Sequence, residues 1–248
     1  MFSDSANIFL LASLTAVATG VGALPFLFLK DFSKSQMAVA NAVAAGLMLS
    51  ASFSLLAEGT NFSAWKTLFG ALLGLLMVVG AHRVLLKQKG ASYSIEGLPQ
   101  ADFKKILLIV GIMTVHSAAE GVSVGVSFGD TVEFGILITL AIALHNIPEG
   151  LAIALILIPR GISVWKSTGW AVFTSLPQPL LAVPAFLLVT FFEPFLPIGL
   201  GLAAGAMIWM TFEELVPEAL EDGSRSLVSV TMTLAILSFI LFQLVLNH

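Results

Sequence analysis

Two short motifs place a histidine and a glutamate four residues apart inside apolar runs. His116 and Glu120 belong to the run HSAAEG, and His145 and Glu149 belong to the run HNIPEG. Residues four apart lie on one face of a helix, so each pair can present an imidazole and a carboxylate together. Such nitrogen and oxygen ligands suit zinc, iron(II), manganese or cobalt better than calcium or magnesium. The chain has no cysteine, which excludes thiolate ligands and disulfides.

The apolar surroundings of these four residues favour a metal site. An ionisable group at the centre of a bilayer costs about 2.5–3.5 kcal/mol on insertion scales, so four of them need compensation. A divalent cation would neutralise two carboxylates and accept two imidazole lone pairs. The simpler alternative is a buried His–Glu network that only fixes helix packing. Pro148, inside the second motif, also frees a backbone carbonyl near position 144.

The composition indicates that both motifs lie in membrane-spanning helices. Of the 248 residues, 58% are hydrophobic and only 10% are charged, and the mean hydropathy is +1.00. A soluble domain carries roughly 25% charged residues, whereas a spanning helix needs about 20 apolar residues. The sequence therefore predicts an all-α integral membrane protein, with one transmembrane domain over residues 1–248. Its eight predicted spans, numbered 1 to 8, cover approximately 8–29, 37–57, 63–85, 106–128, 134–158, 168–191, 196–216 and 226–246.

The distribution of charge predicts that both termini lie outside. With eight spans, every Lys and Arg among the eleven except Lys66 falls in an inside loop, as the positive-inside rule requires. The outside loops instead carry acidic residues, which would attract cations unless they are ordinary solvated loop charges. These acidic residues are Asp4, Glu58, Asp130, Glu133 and Glu193.

An internal repeat occurs at a fixed offset of 159 residues. The run AAGLM at 44–48 matches AAGAM at 203–207, and Pro25 aligns with Pro184. Because spans 2 and 7 run in opposite directions, the repeat is inverted: spans 1–3 mirror spans 6–8 around the central pair of spans 4 and 5. Inverted repeats around a midplane site are typical of transporters. Chance matching among small apolar residues is the alternative.

The motifs HSAAEG and HNIPEG resemble the paired motifs of the ZIP (Zrt/Irt-like) family of metal transporters, and the runs SLPQPLLA and AAGAMIWMTFEELVPEA are similar to that family too. The resemblance implies eight spans with both termini outside. It also implies transport of divalent metals toward the cytosol by an elevator-like motion.

The resemblance also implies a set of site residues. The first transport site would consist of His116, Glu120, His145 and Glu149. The positions that match a second metal site, Ser117, Asn146 and Gln178, are all neutral here, so a dominant single site is expected. Glu213 and Glu214 would lie on the exit route of the metal.

We therefore expect a transporter of divalent ions, with zinc favoured and iron or manganese as alternatives, and no required cofactor. The expected partners are the metal ion and the lipid bilayer, with no nucleic acid and a homodimer left open. The cell membrane is favoured over an organelle membrane. Metal binding must displace protons, so transport should slow in acid.

Two alternatives to transport use the same ligands. A membrane-embedded metal-dependent hydrolase would need one open position for water. The sequence contains no HExxH motif, and we expect no enzyme. A membrane protein that holds a structural metal without moving it is the second alternative.

Overall fold

The described parts of the chain are helical. The computed structural model describes residues 2–28, 33–87 and 100–246, and within these ranges it contains helices and short turns but no strand. The ten α-helices of these ranges are α1 (Phe2–Val21), α2 (Lys34–Lys87), α3 (Gln100–Asp130), α4 (Val132–Leu157), α5 (Val164–Thr174), α6 (Pro177–Leu187), α7 (Val189–Phe192), α8 (Leu196–Met210), α9 (Val216–Asp222) and α10 (Arg225–Leu246). Two 3-10 turns cover Leu24–Leu27 and Glu193–Phe195, and a π-helical turn covers Thr211–Leu215.

The predicted spans correspond to these helices, but some spans end at other residues and some are interrupted. Six described segments are long and apolar enough to cross a membrane, and Ser5–Val21 is a shorter apolar helix. Spans 4, 5 and 8 are α3, α4 and α10. Span 1 ends at Val21 instead of 29, because Pro25 follows in a 3-10 turn. Most of the predicted inside loop between spans 3 and 4, and also Lys30, lie outside the described residues.

Spans 6 and 7 are interrupted. Span 6 contains α5 and α6, and the chain breaks between them where Pro177 opens α6. Proline is favoured in the first turn of a helix, where its missing N–H is not needed. Span 7, predicted over 196–216, contains α8 and the π-helical turn, and the helical chain continues beyond its predicted end through α9.

Helix α2 consists of two helices that meet at Ser63. The backbone there is extended, with φ −167° and ψ 107°. A Cβ atom on Gly59 would lie 2.7 Å from the hydroxyl of Thr67, although eight residues of straight helix rise about 12 Å. The chain therefore reverses at Ser63. The two halves, α2a (34–62) and α2b (64–87), correspond to spans 2 and 3.

Neighbouring helices from different parts of the chain run in the same direction. Gly70 of α2b lies against Ile198 of α8, and four residues later Gly74 lies against Leu202. The same increasing register relates α1 to α4, α3 to α6 and α2a to α10. Small residues at such crossings let helix backbones approach closely, as is usual in membrane proteins.

The helices pack as two groups that share one core. The first group contains α1, α3, α4, α5 and α6, and the second contains α2, α8, α9 and α10. Contacts of α3 with α8 and of α2 with α4 join them. Met48, Met113 and Met207 are fully buried in the main core, whereas Leu234 and Leu241 of α10 are more than half exposed. Apolar side chains that face outward suit a surface covered by lipid.

Candidate metal centre

Three of the predicted ligands meet between α3 and α4. The Nε2 atom of His116 lies 3.3 Å from Oε1 of Glu120, and Nδ1 of His145 lies 3.6 Å from the same oxygen. One ligating atom from each residue lies within 4.8 Å of the others. Ligands at the usual zinc–nitrogen distance in a tetrahedral site are about 3.3 Å apart. The three side chains therefore have the spacing needed to hold one ion.

These side chains are buried and incompletely hydrogen-bonded. His116 and Glu120 have no exposed surface, and His145 is 5% exposed. Both ring nitrogens of His116, Nε2 of His145 and Oε1 of Glu120 lack a hydrogen-bond partner. Buried polar atoms are nearly always paired, so this cluster of unpaired nitrogen and oxygen atoms is suited to binding a cation. Both histidines lie near the midpoints of their helices, as expected for a site in mid-membrane.

Glu149, the fourth predicted ligand, lies outside this group of three. It follows His145 by one turn of α4, is fully buried, and has no hydrogen-bond partner on either carboxylate oxygen. A buried carboxylate without a partner is costly. The structure therefore gathers three of the four predicted residues and leaves the fourth close by along α4, with both oxygens free to bind.

A hydrogen-bond network holds the other oxygen of Glu120. Nε2 of Gln178 donates to Oε2 of Glu120 at 2.5 Å. Oε1 of Gln178 accepts from Nδ2 of Asn146 at 3.0 Å and from the hydroxyl of Thr15 at 2.5 Å. Nδ2 of Asn146 also donates to the carbonyl of Thr15 at 2.8 Å. Four helices, α1, α3, α4 and α6, thus meet beside the site, and the hydroxyl of Ser117 is buried there without a partner.

Glycines at the ends of both motifs allow this close packing. A Cβ on Gly121 would lie 2.6 Å from the carbonyl of Gln178, and a Cβ on Gly150 would overlap the carbonyl of Thr19. Thr15 and Thr19 were missed by the sequence reasoning. Their spacing of four residues in the apolar second half of α1 is the signal that could have found them, since it places two hydroxyls on one face.

Two cavities that share Glu58 as a lining residue lie beside the site and towards Glu193. A cavity of about 370 Å³ is lined by Glu58, Ser123 and Glu193 among others, and a smaller one of about 70 Å³ is lined by Glu58 and His145. The Ser123 hydroxyl donates to Glu58 at 3.4 Å. The prediction that Glu58 lies in an outside loop is wrong, because α2 continues beyond residue 57 to Ser63 and leaves Glu58 half-buried on the helix.

The two predicted exit residues lie in the π-helical turn Thr211–Leu215, apart from the group of three. Glu213 is exposed, whereas Glu214 is only 8% exposed. Turns with π-helical geometry occur frequently at functional sites. The two neighbouring acids of this turn are thus one exposed and one buried carboxylate.

Comparisons with known proteins identify relatives over most of the chain. A family model described as "ZIP Zinc transporter" matches residues 86–244. The zinc transporter GufA of Myxococcus xanthus is 32% identical over 227 residues, which cover 86% of this chain and 89% of GufA. The zinc transporter ZIPB of Bordetella bronchiseptica is 32% identical over 225 residues, which cover 86% of this chain and 72% of ZIPB.

A longer relative comes from Arabidopsis thaliana, where it is named as a candidate zinc transporter. It is 43% identical over 225 residues, which cover 90% of this chain but only 36% of that protein, so the chain spans about a third of its length. The matches to the family model, GufA and ZIPB, together with the apolar helices, show that this multi-pass integral membrane protein belongs to the ZIP zinc transporter family.

Proposed function

We propose that this protein carries divalent transition-metal ions across the bilayer toward the cytosol, with zinc as the main cargo and iron or manganese as lesser ones. The observation that carries the proposal is the buried meeting of His116, Glu120 and His145 at the midpoints of two helices, with unpaired nitrogen and oxygen atoms directed at one another. Two relatives of this protein, GufA and ZIPB, are named zinc transporters. The site supplies ligands that zinc prefers.

The proposed ligand set has four members, with Glu149 completing the site. Its carboxylate is buried without a partner, and two carboxylates would neutralise a divalent ion. Asn146 and Gln178 are neutral and bonded to each other, and Ser117 offers a single neutral hydroxyl. These contacts support one dominant metal site over a two-metal centre.

The proposed topology has eight spans within one domain and both termini outside. The reversal of the chain at Ser63 supports two spans within α2. The parallel helix pairs support it as well, because each pair joins two odd-numbered or two even-numbered spans, as alternating crossings require. The basic residues then face inside and the membrane is the cell membrane.

The inverted repeat is part of the same proposal. The repeat exchanges spans 1–3 with spans 6–8 and span 4 with span 5. It therefore relates the α1–α4 contact to the α6–α3 contact, and the α2b–α8 contact to the α10–α2a contact. All four of these helix pairs are in contact, as the repeat requires. Gly46 and Gly205, which the repeat aligns, both lie at such crossings. Gly46 lies against Met232 of α10, and Gly205 lies against Ala71 of α2b.

The proposed route begins at the outer cavity. Glu58 and Glu193 line that cavity and attract the hydrated ion. Glu58 also lines the small cavity that reaches His145, so the ion can pass from one carboxylate to the buried ligands. Release follows when the group of α1, α3, α4, α5 and α6, which holds the site, moves against the second group, and Glu213 and Glu214 receive the ion on the inner side.

The rival hydrolase would place water on an open zinc position beside a general base. The named relatives are transporters, which favours transport. The cavities also support movement of an ion, since they share Glu58 and the smaller one is lined by His145. A structural metal would need no such access.

Zinc uptake into proteoliposomes tests the proposal. The intact chain should accumulate zinc, and both His145→Ala and Glu149→Ala should lose uptake while they remain folded and inserted. Zinc that stays bound to the intact chain without any flux would support the structural alternative. Hydrolytic turnover without flux would support the enzyme.

A further inference from the structure

We propose that Gln178 is a positioning residue that fixes Glu120 so that only its Oε1 atom is offered to the metal ion. The inference depends on the proposed metal transport at this site. It starts from the two oxygens of Glu120, which have different surroundings. Oε2 accepts the hydrogen bond from Gln178, whereas Oε1 faces the imidazoles of His116 and His145 and has no hydrogen-bond partner.

The direction of the hydrogen bonds that run from Asn146 through Gln178 to Glu120 is set by a backbone carbonyl, which can only accept. The carbonyl of Thr15 must accept, so the atom of Asn146 that faces it is the amide nitrogen. The same nitrogen donates to Gln178, so the side-chain oxygen of Gln178 faces Asn146. The amide nitrogen of Gln178 is then left to donate to Glu120. The backbone of α1 thereby determines that an N–H of Gln178, and not its oxygen, faces Glu120.

This arrangement limits Glu120 to one bond with a metal ion. Rotation of the carboxylate to chelate an ion with both oxygens would break the bond from Gln178, and the amide would be left buried without its acceptor, since Gln178 is fully buried. One oxygen per carboxylate suits a four-coordinate ion such as zinc. Larger ions, which take more oxygen ligands and bidentate carboxylates, are disfavoured.

The same bond keeps a second cation away from Glu120. The neutral N–H of Gln178 lies against Oε2, where a neighbouring ion would have to bind. Gln178 therefore supplies specificity for the metal ion in two ways. It leaves only one oxygen of Glu120 free to bind an ion, and its amide occupies the position beside Oε2 where a second ion would bind.

The test replaces Gln178 by a side chain of similar size without hydrogen-bonding groups. Gln178→Leu in the full chain should weaken zinc binding by about 10–100-fold, the usual effect of losing a partner of a metal ligand. The Cd²⁺-to-Zn²⁺ uptake ratio in proteoliposomes should rise. With Co²⁺ as the probe, visible absorption should fall in intensity as the ion gains ligands beyond four. Gln36→Leu, which removes a side chain that accepts a hydrogen bond from the backbone of Ser33 at the first turn of α2, is the control and should change none of these.

Thr15→Val removes the hydroxyl that contacts both Gln178 and the carbonyl of Ala12, keeps the size of the side chain, and serves if Gln178→Leu does not fold. It should shift the uptake ratio and the Co²⁺ spectrum in the same direction by a smaller amount. If the intact chain takes up zinc but both variants keep its ion ratio and its spectrum, the role of Gln178 is wrong. If the intact chain takes up no metal, the proposed function itself fails.

Discussion

Glu120 links the two halves of the candidate site. It shares α3 with His116, and its Oε1 atom also lies 3.6 Å from His145 on α4. Its second oxygen is held by Gln178 of α6. A single carboxylate thus joins three helices and faces both imidazoles, and a metal ion placed there would be bound by groups from both motifs.

Glu149 is the residue whose role a substitution decides most clearly. Glu149→Gln keeps the size of the side chain and removes its charge, so a fourth ligand would be lost without creating a cavity. We expect zinc uptake to fall by more than about tenfold, since even indirect partners of a metal cost about 10–100-fold in affinity. Glu133→Gln, at the exposed first turn of the same helix, is the control. Equal uptake by both variants would remove Glu149 from the ligand set.

The imidazoles predict a dependence of uptake on pH. A histidine binds metal only in its neutral form, so protons and zinc compete for His116 and His145. Zinc uptake at limiting zinc should therefore fall as the outside pH is lowered from neutral to mild acid. Saturating zinc should recover much of the rate. A rate that stays level over this range at limiting zinc would contradict ligation by the histidines.

At the scale of helices, the contact between α3 and α6 determines where Gln178 lies. Gly121→Ala would press a methyl group against the backbone of Gln178. Overpacking of this kind costs about 1–3 kcal/mol, so the variant should melt earlier in detergent and bind zinc more weakly. Gly111→Ala is the matched control on the same helix, because a Cβ there meets no atom within 4 Å. Equal melting temperatures of the two variants in detergent would refute the packing role of Gly121.

The sequence predicted the helices well because long apolar runs leave the backbone few alternatives in lipid. Runs such as 106–128 and 134–158 match α3 and α4 closely. The break of span 6 beside the site was not predicted, although Pro177 marks it. Spacing alone placed His116 with Glu120 and His145 with Glu149, but it could not find the partner of Glu120.

The reason is distance along the chain. Thr15 and Gln178 are 163 residues apart, and their hydrogen bond depends on how α1 and α6 pack. The same limit applies to Glu58, whose position depended on where α2 reverses. Local patterns predict elements and faces, whereas cross-helix networks require the packed structure.

At the scale of the whole molecule, an ion pair joins the two groups of helices. Arg160, in the connection after α4, lies 3.4 Å from Glu218 of α9, and both side chains are about one-fifth exposed. The first residue belongs to the group that holds the metal site, and the second belongs to the other group. If the groups move against each other during transport, this contact must change.

Neutralising either partner should therefore alter the uptake rate without altering zinc affinity. An exposed pair contributes about 0–1 kcal/mol, which limits the change to about fivefold. The double variant should change the rate by less than the sum of the changes in Arg160→Gln and Glu218→Gln, because both single variants remove the same pair. Lys166→Gln, a nearby exposed cation on α5, is the control. Additive effects of the two single variants would show that the pair does not act as a unit.

Zinc K-edge X-ray absorption of the purified, zinc-loaded chain tests the central claim most directly. The account predicts one zinc ion with two imidazole nitrogens and with oxygen as its remaining ligands. One imidazole should disappear from the spectrum in His116→Ala and one in His145→Ala. A zinc ion without imidazole ligands, or a spectrum unchanged in both variants, would contradict the claim that these residues hold the transported ion.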